Sequence, residues 1–577
     1  MGSNDDGTAA DDDRAARQAL IDGATAAADV AVSHLLPEVE TLKARLQPRV
    51  KKATRLAHTG LPALIRSINR DEGALRRYVA RLRDEATTED QLGDCKKRLE
   101  SHRFALELTQ LQWSIVKRCH SLVAYNRPFE GSTKESRREK IKIMEKEQQA
   151  KCGGAARGFS SEEKTLQHQR LKLMSKVEVI VVDGGAQWLD IRALSAERLA
   201  TQMSEAGWSW GDHDDADEDE AVDADEWETV PLAIQVRKLI EAARLNRHEY
   251  MMPRVRVVLP RIGRSDNGDV ALFLAQLARM DPSVKVTIED RDSVFMTTPP
   301  PPPDEALENL VGYEFAGLTP TLNIDHSILV DLISDITHFR LEVQPWHEHT
   351  TSWQIEEELK HEGGVMVKTL YPVLAGRRLV CTREAAEHFH ELLRKVGTET
   401  ERERGRLLVP WDEDTRAMTD EEIRARFNEL SIRPPPPGVQ IPITILPTHW
   451  DQPSSVAKAV EEGRLPAVAL DVVRCGRLGS SKLSVFMQGW ESGDVTVTSN
   501  KEIRARIRTW IEANRKSDDE AGPRIFKLDV TRNLLARSAT PPEGWDGTSS
   551  HGTARTGRVA PRSSRGFDEG ENGAHDD

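Results

Sequence analysis

Apolar residues near the start of the chain recur at the spacing of an α-helix. Leu99, Leu106, Trp113 and Val116 are separated by seven or three positions, which places them on one face of a helix. Ala-, Leu- and Val-rich stretches with interspersed charges precede them, so residues 14–150 are predicted to form a helical bundle. A bundle of this kind serves packing or assembly, and its exposed faces are the predicted contact for protein partners.

A second region alternates β-branched runs with helical segments. The run VEVIVVDGGAQWLDI predicts two strands joined by a turn at the paired glycines. RVRVVLP and VKVTIED predict two further strands, with a helical segment before each. Residues 165–298 are therefore predicted to form a small α/β unit. The prolines at 299–303 predict a stiff spacer and a domain boundary.

Residues 318–515 alternate short apolar runs with amphipathic segments. TLNIDHSILVDLISDITH predicts a buried strand that runs into a helix, and LVCTREAAEHF predicts a strand followed by a helix that begins near Thr382. KLSVFMQGW and DVTVTS predict two later strands. Apolar strands that alternate with helices are typical of a parallel, doubly wound sheet. The expected fold class is α/β, with a parallel-sheet domain in the C-terminal half.

The net charge of −14 is concentrated in three polar stretches. Residues 212–228 hold 11 acids and neither Lys nor Arg, and residues 1–13 and 566–577 hold five acids each. Low hydrophobicity predicts disorder in residues 1–13, 210–228 and 538–577. Residues 14–150 instead hold 27 Lys and Arg against 18 Asp and Glu, which permits a phosphate-rich partner without requiring one.

Composition also bears on the compartment. The chain has no uninterrupted run of 18 apolar residues, and its N-terminus is acidic, so neither a membrane span nor a signal peptide is expected. The five cysteines lie far apart and form no Cys-x-x-Cys pair, which is typical of free thiols in a reducing compartment. The predicted location is the cytoplasm or the nucleus, without membrane contact.

Polar residues follow the predicted strands of the 318–515 region. Asp325, Glu384 and Asn500 come directly after strands, and Glu491 and Asp494 lie in the loop expected after KLSVFMQGW. Because the carboxyl ends of parallel strands meet at one edge, these side chains are expected to converge. Carboxylate and amide oxygens without Cys select Mg²⁺ or Mn²⁺, and such ions can activate water against a phosphodiester. Helix capping is the alternative role for each acid.

Basic residues follow this predicted acidic edge. Arg504, Arg506 and Arg508 lie on the helix after DVTVTS, and Arg504 and Arg508 are the predicted contacts with a nucleic-acid backbone. A solvated helix face is the alternative. The pairs His347/His349 and His388/His390 are not predicted to bind zinc, because neither has Cys support. In addition, residues i and i+2 on the predicted 383–395 helix do not share a face.

The same residues resemble known families. LNIDHSILVDLIS resembles the first strand and helix of PIN-like nucleases, and VTVTSNKEI resembles their late strand. The chain more closely resembles the eukaryotic family catalogued as domain of unknown function 1308, through LNIDHSILVDLIS, LVCTREAAEHF, ERERGRLL and SVFMQGWESGDVTVTSNKEI. VEVIVVDGGAQWLDI and RVRVVLP resemble its preceding region, so the similarity covers most of residues 15–515.

The resemblance implies roles for individual residues. It matches Asp325 and Glu384 to the first two acids of the metal site and Asn500 to a late position. Where it implies a third acid, this chain has Trp490, so Glu491 or Asp494 would have to substitute. The implied metal ligands are Asp325, Glu384, Asp494 and Asn500, and the implied catalytic residues are Asp325, Glu384, Glu491 and Asp494.

Two functions from different classes follow. The first is a divalent-metal-dependent ribonuclease with a PIN-like domain that acts on single-stranded RNA. The alternative is a non-catalytic interaction or scaffold protein with a degenerate PIN-like fold. The third acid separates them, because without Glu491 or Asp494 beside Asp325 and Glu384 the interaction protein is favoured.

Overall fold

The computed structural model describes residues 5–46, 60–84, 89–151, 158–211, 227–313, 315–447, 450, 452–476, 478–535, 538–541 and 545, with backbone alone for 5–13, 89–90 and 501. The chain divides into two compact units. The first comprises Met1–Gly317 and Arg515–Gly522, and the second comprises Leu318–Asn514 and Pro523–Asp577. The predicted start of the C-terminal domain at 318 agrees with this division.

The first unit begins with long helices that pack side by side. Leu99, Leu106, Trp113 and Val116, the predicted apolar stripe, are each at most 2 % exposed and contribute to one hydrophobic core. The helices of this unit are α1 (Asp5–Val30), α2 (Leu36–Arg45), α3 (Leu61–Arg83), α4 (Glu89–Val116), α5 (Lys134–Lys151), α6 (Ser161–Met174), α7 (Ala196–Ala206), α8 (Pro231–Leu245), α9 (Gly268–Arg279), α10 (Val294–Thr297) and α11 (Pro303–Val311).

One stretch of this first unit has the composition of a membrane span. Within the described part of the chain, only Arg14–Arg45 is long and apolar enough, with a mean hydropathy of 1.3 over its best 18 residues. A third of that window is buried, and Ala24, Ala31 and Leu35 lie in the hydrophobic core shared with α3 and α4. Core helices of globular proteins have the same composition, so this one weakly apolar stretch does not mark a clear membrane protein.

A five-stranded mixed sheet completes the first unit. Its strands lie in chain order, the first three pairing antiparallel and the last three parallel. They are β1 (Ala124–Phe129), β2 (Val177–Val182), β3 (Gln187–Ile191), β4 (Arg254–Leu259) and β5 (Val286–Asp290). The predicted hairpin around the paired glycines is confirmed as β2 and β3.

The structure differs from the predicted separation of a helical domain at 14–150 and an α/β unit at 165–298. Strand β1 lies inside the predicted helical domain but pairs with β2, and Ile180 and Val182 of β2 lie in the same core as the helices. The two regions therefore share one core. The hydrophobic periodicity of each region gave no sign of this shared core, because β1 is short and half exposed.

The second unit is built on a five-stranded, wholly parallel sheet of order β10-β9-β6-β7-β8, which confirms the predicted α/β class and parallel sheet. Its strands are β6 (Thr321–Ile324), β7 (Arg378–Thr382), β8 (Thr444–Leu446), β9 (Val495–Thr498) and β10 (Ile525–Lys527). The chain runs outward from β6 through β7 to β8, then crosses back to β9 and β10. The order therefore reverses between β6 and β9, where open parallel sheets bind their ligands.

Helices connect these strands. They are α12 (His326–Ile333), α13 (Asp335–His338), α14 (His349–Lys360), α15 (Val365–Thr369), α16 (Tyr371–Leu374), α17 (Arg383–Val396), α18 (Glu399–Leu408), α19 (Glu413–Arg416), α20 (Asp420–Glu429), α21 (Pro453–Glu461), α22 (Val468–Gly476), α23 (Ser480–Ser492) and α24 (Lys501–Asn514). The predicted start of α17 is confirmed, because the Thr382 hydroxyl accepts a hydrogen bond from the Ala385 amide.

The prediction of a strand at KLSVFMQGW is wrong, because these residues belong to helix α23. A short apolar run does not distinguish a buried strand from a buried helix, and Leu483–Gly489 are all buried. Gly489 permits this packing, since a Cβ there would lie 2.1 Å from the Thr496 hydroxyl of β9. Helix α23 therefore crosses the sheet in close contact.

Four other predictions, the proline boundary and the three disordered segments, change in part. Pro303 begins α11, whose Leu307 and Leu310 lie in the first unit's core, so the proline run is not the boundary. Residues 5–13, predicted to be disordered, form the start of α1. Trp227 and Ser538, which belong to the predicted disordered segments 210–228 and 538–577, are buried. Apart from a few terminal positions, the rest of the three segments lies outside the described residues.

Candidate functional site

Three predicted site residues lie at the carboxyl edge of the parallel sheet. Asp325 follows β6, Glu384 lies in the first turn of the helix after β7, and Asn500 follows β9. Strand β6 lies between β7 and β9, so the structure brings these residues to adjoining positions on one edge. The strand-end argument is confirmed for these three.

Asp325 is a buried carboxylate whose two oxygens are both engaged. Its side chain is 2 % exposed, and Oδ2 accepts hydrogen bonds from the hydroxyls of Ser327 (2.7 Å) and Thr498 (2.6 Å). Oδ1 lies 2.8 Å from Nδ1 of His326, a close ion-pair contact rather than an aligned hydrogen bond. The first residue of α12 thus lies against the carboxylate of the residue that follows β6.

The pKa values of this pair shift in opposite directions. Burial raises the pKa of Asp325, but the charge of His326 and the hydroxyls of Thr498 and Ser327 outweigh burial and bring the pKa below its ordinary value. Burial lowers the pKa of His326, yet the Asp325 carboxylate outweighs it and raises the pKa above its ordinary value. Each shift favours the charged form of its own group, the carboxylate of Asp325 and the imidazolium of His326.

Two further basic side chains, His388 and Lys482, act on His326. The ring of His388 meets it edge-on, with centroids 4.9 Å apart, and the Lys482 charge acts against its protonation. Burial and the charge of His326 both lower the pKa of His388. His390 points elsewhere and contacts the Val409 carbonyl at 2.9 Å, so the two histidines diverge as predicted. The environment of Asp325 is therefore basic.

Glu384 is hydrogen-bonded to the backbone of the loop that carries Trp450. It is 7 % exposed, and its Oε1 accepts a hydrogen bond from the backbone amide of Trp450 at 2.9 Å. The indole nitrogen of Trp450 donates in turn to Oε1 of Gln488 at 3.1 Å. The carboxylate thus serves to position Trp450 against α23.

The convergence predicted for Glu491 and Asp494 is wrong. Because α23 is a helix, both residues precede β9 rather than follow a strand. The register aligns Val495 with Leu322, so Asp494 lies four residues, or about 13 Å, along the strand direction from the level of Asp325. Glu491 is paired with Arg464. Asp494 therefore lies at the edge opposite Asp325, and Glu491 lies in the last turn of α23, before β9.

Asn500 and the two predicted phosphate contacts belong to the start of α24. The Asn500 side-chain oxygen accepts hydrogen bonds from the amides of Glu502 (3.2 Å) and Ile503 (3.3 Å), so it caps this helix. Arg504 and Arg508 lie one turn apart on its exposed side. Their contact with a nucleic acid stays a prediction.

Sequence reasoning missed the residues that complete the environment of Asp325. Thr498 is the last residue of β9, and His326 and Ser327 directly follow Asp325, so the strand-end argument could have included all three. Asp331 was also missed, although an acid inside the apolar helix SILVDLI is itself a signal. It is fully buried, and burial raises its pKa to about 7.

The three side chains at this edge already have partners other than a metal ion. Oδ1 of Asp325 lies against Nδ1 of His326, Oε1 of Glu384 accepts from the Trp450 amide, and the Asn500 oxygen caps a helix. Over the described ranges, no three His, Cys, Asp or Glu side chains converge closely enough to hold a metal ion.

Comparison of the chain with protein-family models, with curated proteins and with solved structures gives no match. The resemblance to the family of domain of unknown function 1308 and to PIN-like nucleases therefore stays a prediction.

Proposed function

We propose that this chain is a non-catalytic interaction protein whose second unit is a degenerate PIN-like domain. The PIN-like part of the proposal is supported by the strand order, which reverses beside the first strand of the sheet. It is also supported by an acid at the end of that strand, Asp325. The α/β architecture alone does not assign a function.

The charge around Asp325 carries the non-catalytic part of the proposal. Hydrolysis with one or two metal ions needs several free oxygen ligands around each cation. At this edge the more buried carboxylate, that of Asp325, is paired with His326, and Asp494 lies at the opposite edge. An imidazolium next to Asp325 repels a cation that would approach the same oxygen. The contacts and charges around Asp325 therefore favour a structural role for this residue.

One observation favours the metal-dependent ribonuclease as a second candidate. Asp325 and Glu384 follow neighbouring strands, which is where a shared cation would need them. For this function His326 would have to lose its proton and leave Oδ1, and Glu384 would have to release the Trp450 amide. Each change gives up an interaction of a buried group.

An RNA cleavage assay distinguishes the two candidates. We expect the full chain to leave a labelled single-stranded RNA intact in Mg²⁺ or Mn²⁺, with the same background as in a chelator. Asp325→Asn and Asp494→Asn should both match the wild-type chain. Metal-dependent cleavage that Asp325→Asn abolishes and Asp494→Asn preserves would contradict the proposal and establish the ribonuclease.

A further inference from the structure

Residues 530–535 and Ser538, here called the docked segment, follow β10 and lie in a groove of the second unit. The groove is formed by α12, α13, α14 and α18 and by the loop that carries Trp346. No helix or strand is described within residues 530–535. Their hydrogen bonds are supplied by side chains of the groove.

The groove binds the backbone of the docked segment. Gln354 donates from Nε2 to the Thr531 carbonyl (3.1 Å) and accepts at Oε1 from the Asn533 amide (3.0 Å), as a neighbouring strand would. Ser334 donates to the Asn533 carbonyl at 2.6 Å, and Glu401 accepts from the Leu535 amide at 2.8 Å. These bonds would form with the backbone of many extended peptides.

Further backbone contacts lie at both ends. Asp331 accepts through Oδ1 from the Arg532 amide (2.6 Å) and from the Thr531 hydroxyl (2.8 Å). Trp346 donates its indole N–H to the Ser538 carbonyl at 2.9 Å. The described contacts therefore run from Thr531 to Leu535 and include Ser538.

Two side chains of the docked segment provide selectivity. Arg532 is 1 % exposed, with Nε donating to Glu358 at 2.8 Å and Nη1 lying 3.2 Å from Glu357. Leu535 is 7 % exposed and packs with Ile336 and Ile355. An acidic pocket and an apolar pocket three residues apart fit an Arg-x-x-Leu sequence.

We propose that this groove is a recognition site for extended peptides with an Arg-x-x-Leu sequence, and that the chain's own docked segment occupies it in competition with a partner protein. The charge complementarity of Glu357 and Glu358 with an arginine, and the apolar pocket three positions on, identify the partner by its chemistry. The inference rests on the proposed interaction function and names its partner class. The docked segment is tethered to the groove and is therefore present there at a high effective concentration. A partner has to compete with the docked segment to bind.

A peptide-binding measurement on the full chain tests the proposal. The probe is a fluorescein-labelled peptide with the sequence of residues 528–541, and the variant carries Arg532→Ala and Leu535→Ala, which weaken docking in cis. We expect the variant to bind the peptide at least about tenfold more tightly than the wild-type chain does. The peptide with Ala in place of its arginine, and the variant with added Gln354→Ala, should both lose this binding.

A folded variant that does not bind the peptide would overturn the proposal. So would a variant whose second unit no longer folds, since the docked segment would then be part of the core rather than a replaceable ligand. A second measurement uses the wild-type chain, in which an excess of unlabelled peptide should speed amide exchange in residues 530–535 by about fivefold or more. Unchanged exchange would also overturn it. No metal or RNA is present, so failure here is distinct from failure of the proposed function.

Discussion

Replacing Arg404 with Ala is expected to lower the free energy of unfolding of the second unit by about 3–5 kcal/mol. The guanidinium is fully buried and paired with Asp335. It also donates to the carbonyls of Ile333 (2.9 Å) and Leu430 (2.7 Å). Alanine would leave a buried carboxylate without its counter-charge and two carbonyls without these donors, and the desolvation cost of these groups would remain.

Chemical denaturation of the full chain measures this effect, with amide exchange assigning the transition to the second unit. Arg506→Ala is the matched control, because Arg506 pairs with Glu502 on the exposed side of α24. A surface pair of this kind contributes little, so the control should change the free energy by less than about 1 kcal/mol. Equal effects of the two substitutions would refute the importance of the buried pair.

Asp331→Asn is expected to stabilise the second unit at pH 8 by about 2–4 kcal/mol. Burial raises the pKa of Asp331 to about 7 from an ordinary value of 3.8, against the opposing hydrogen bonds of Arg532 and Thr531. Asparagine keeps an oxygen for both donors and carries no charge. The ionisation of a fully buried carboxylate therefore no longer opposes folding.

The pH dependence of this difference has a definite sign. Between pH 4 and 7 the folded state holds the Asp331 proton and the unfolded state has released it, so the wild-type chain loses stability as the pH rises. The advantage of Asp331→Asn should be small at pH 4, grow toward pH 7 and then level off. Denaturation curves at pH 4, 6 and 8 measure it, with the exposed Asp414→Asn as control. An advantage that shrinks with rising pH would contradict the assignment.

The α/β architecture of the second unit could be predicted because its strands are short, apolar and followed by helices. The same pattern located Asp325, Glu384 and Asn500, since the carboxyl ends of parallel strands share an edge. It failed at α23, where a run of buried apolar residues fits a helix as well as a strand. Because of that one error, Asp494 was predicted at the wrong edge of the sheet.

The state of the candidate site could not be predicted from motifs. His326 is adjacent to Asp325 in the sequence, but sequence adjacency does not predict that its ring nitrogen lies 2.8 Å from the carboxylate. The contacts of the docked segment were even less predictable, because its partners Asp331, Gln354 and Glu401 lie more than 130 residues away along the chain. Contacts of this separation leave no periodic signal.

The thermal melting temperature of the full chain in Mn²⁺ tests the central claim, that Asp325 is neutralised by His326 and does not bind a metal ion. We expect Mn²⁺ to shift the melting temperature of the wild-type chain and of Asp325→Asn by the same amount. A cation bound at the site would stabilise the folded state by about 2.7 kcal/mol at a hundredfold excess over its Kd, which is a shift of several degrees. A rise of that size in the wild-type chain, absent in Asp325→Asn, would contradict the account.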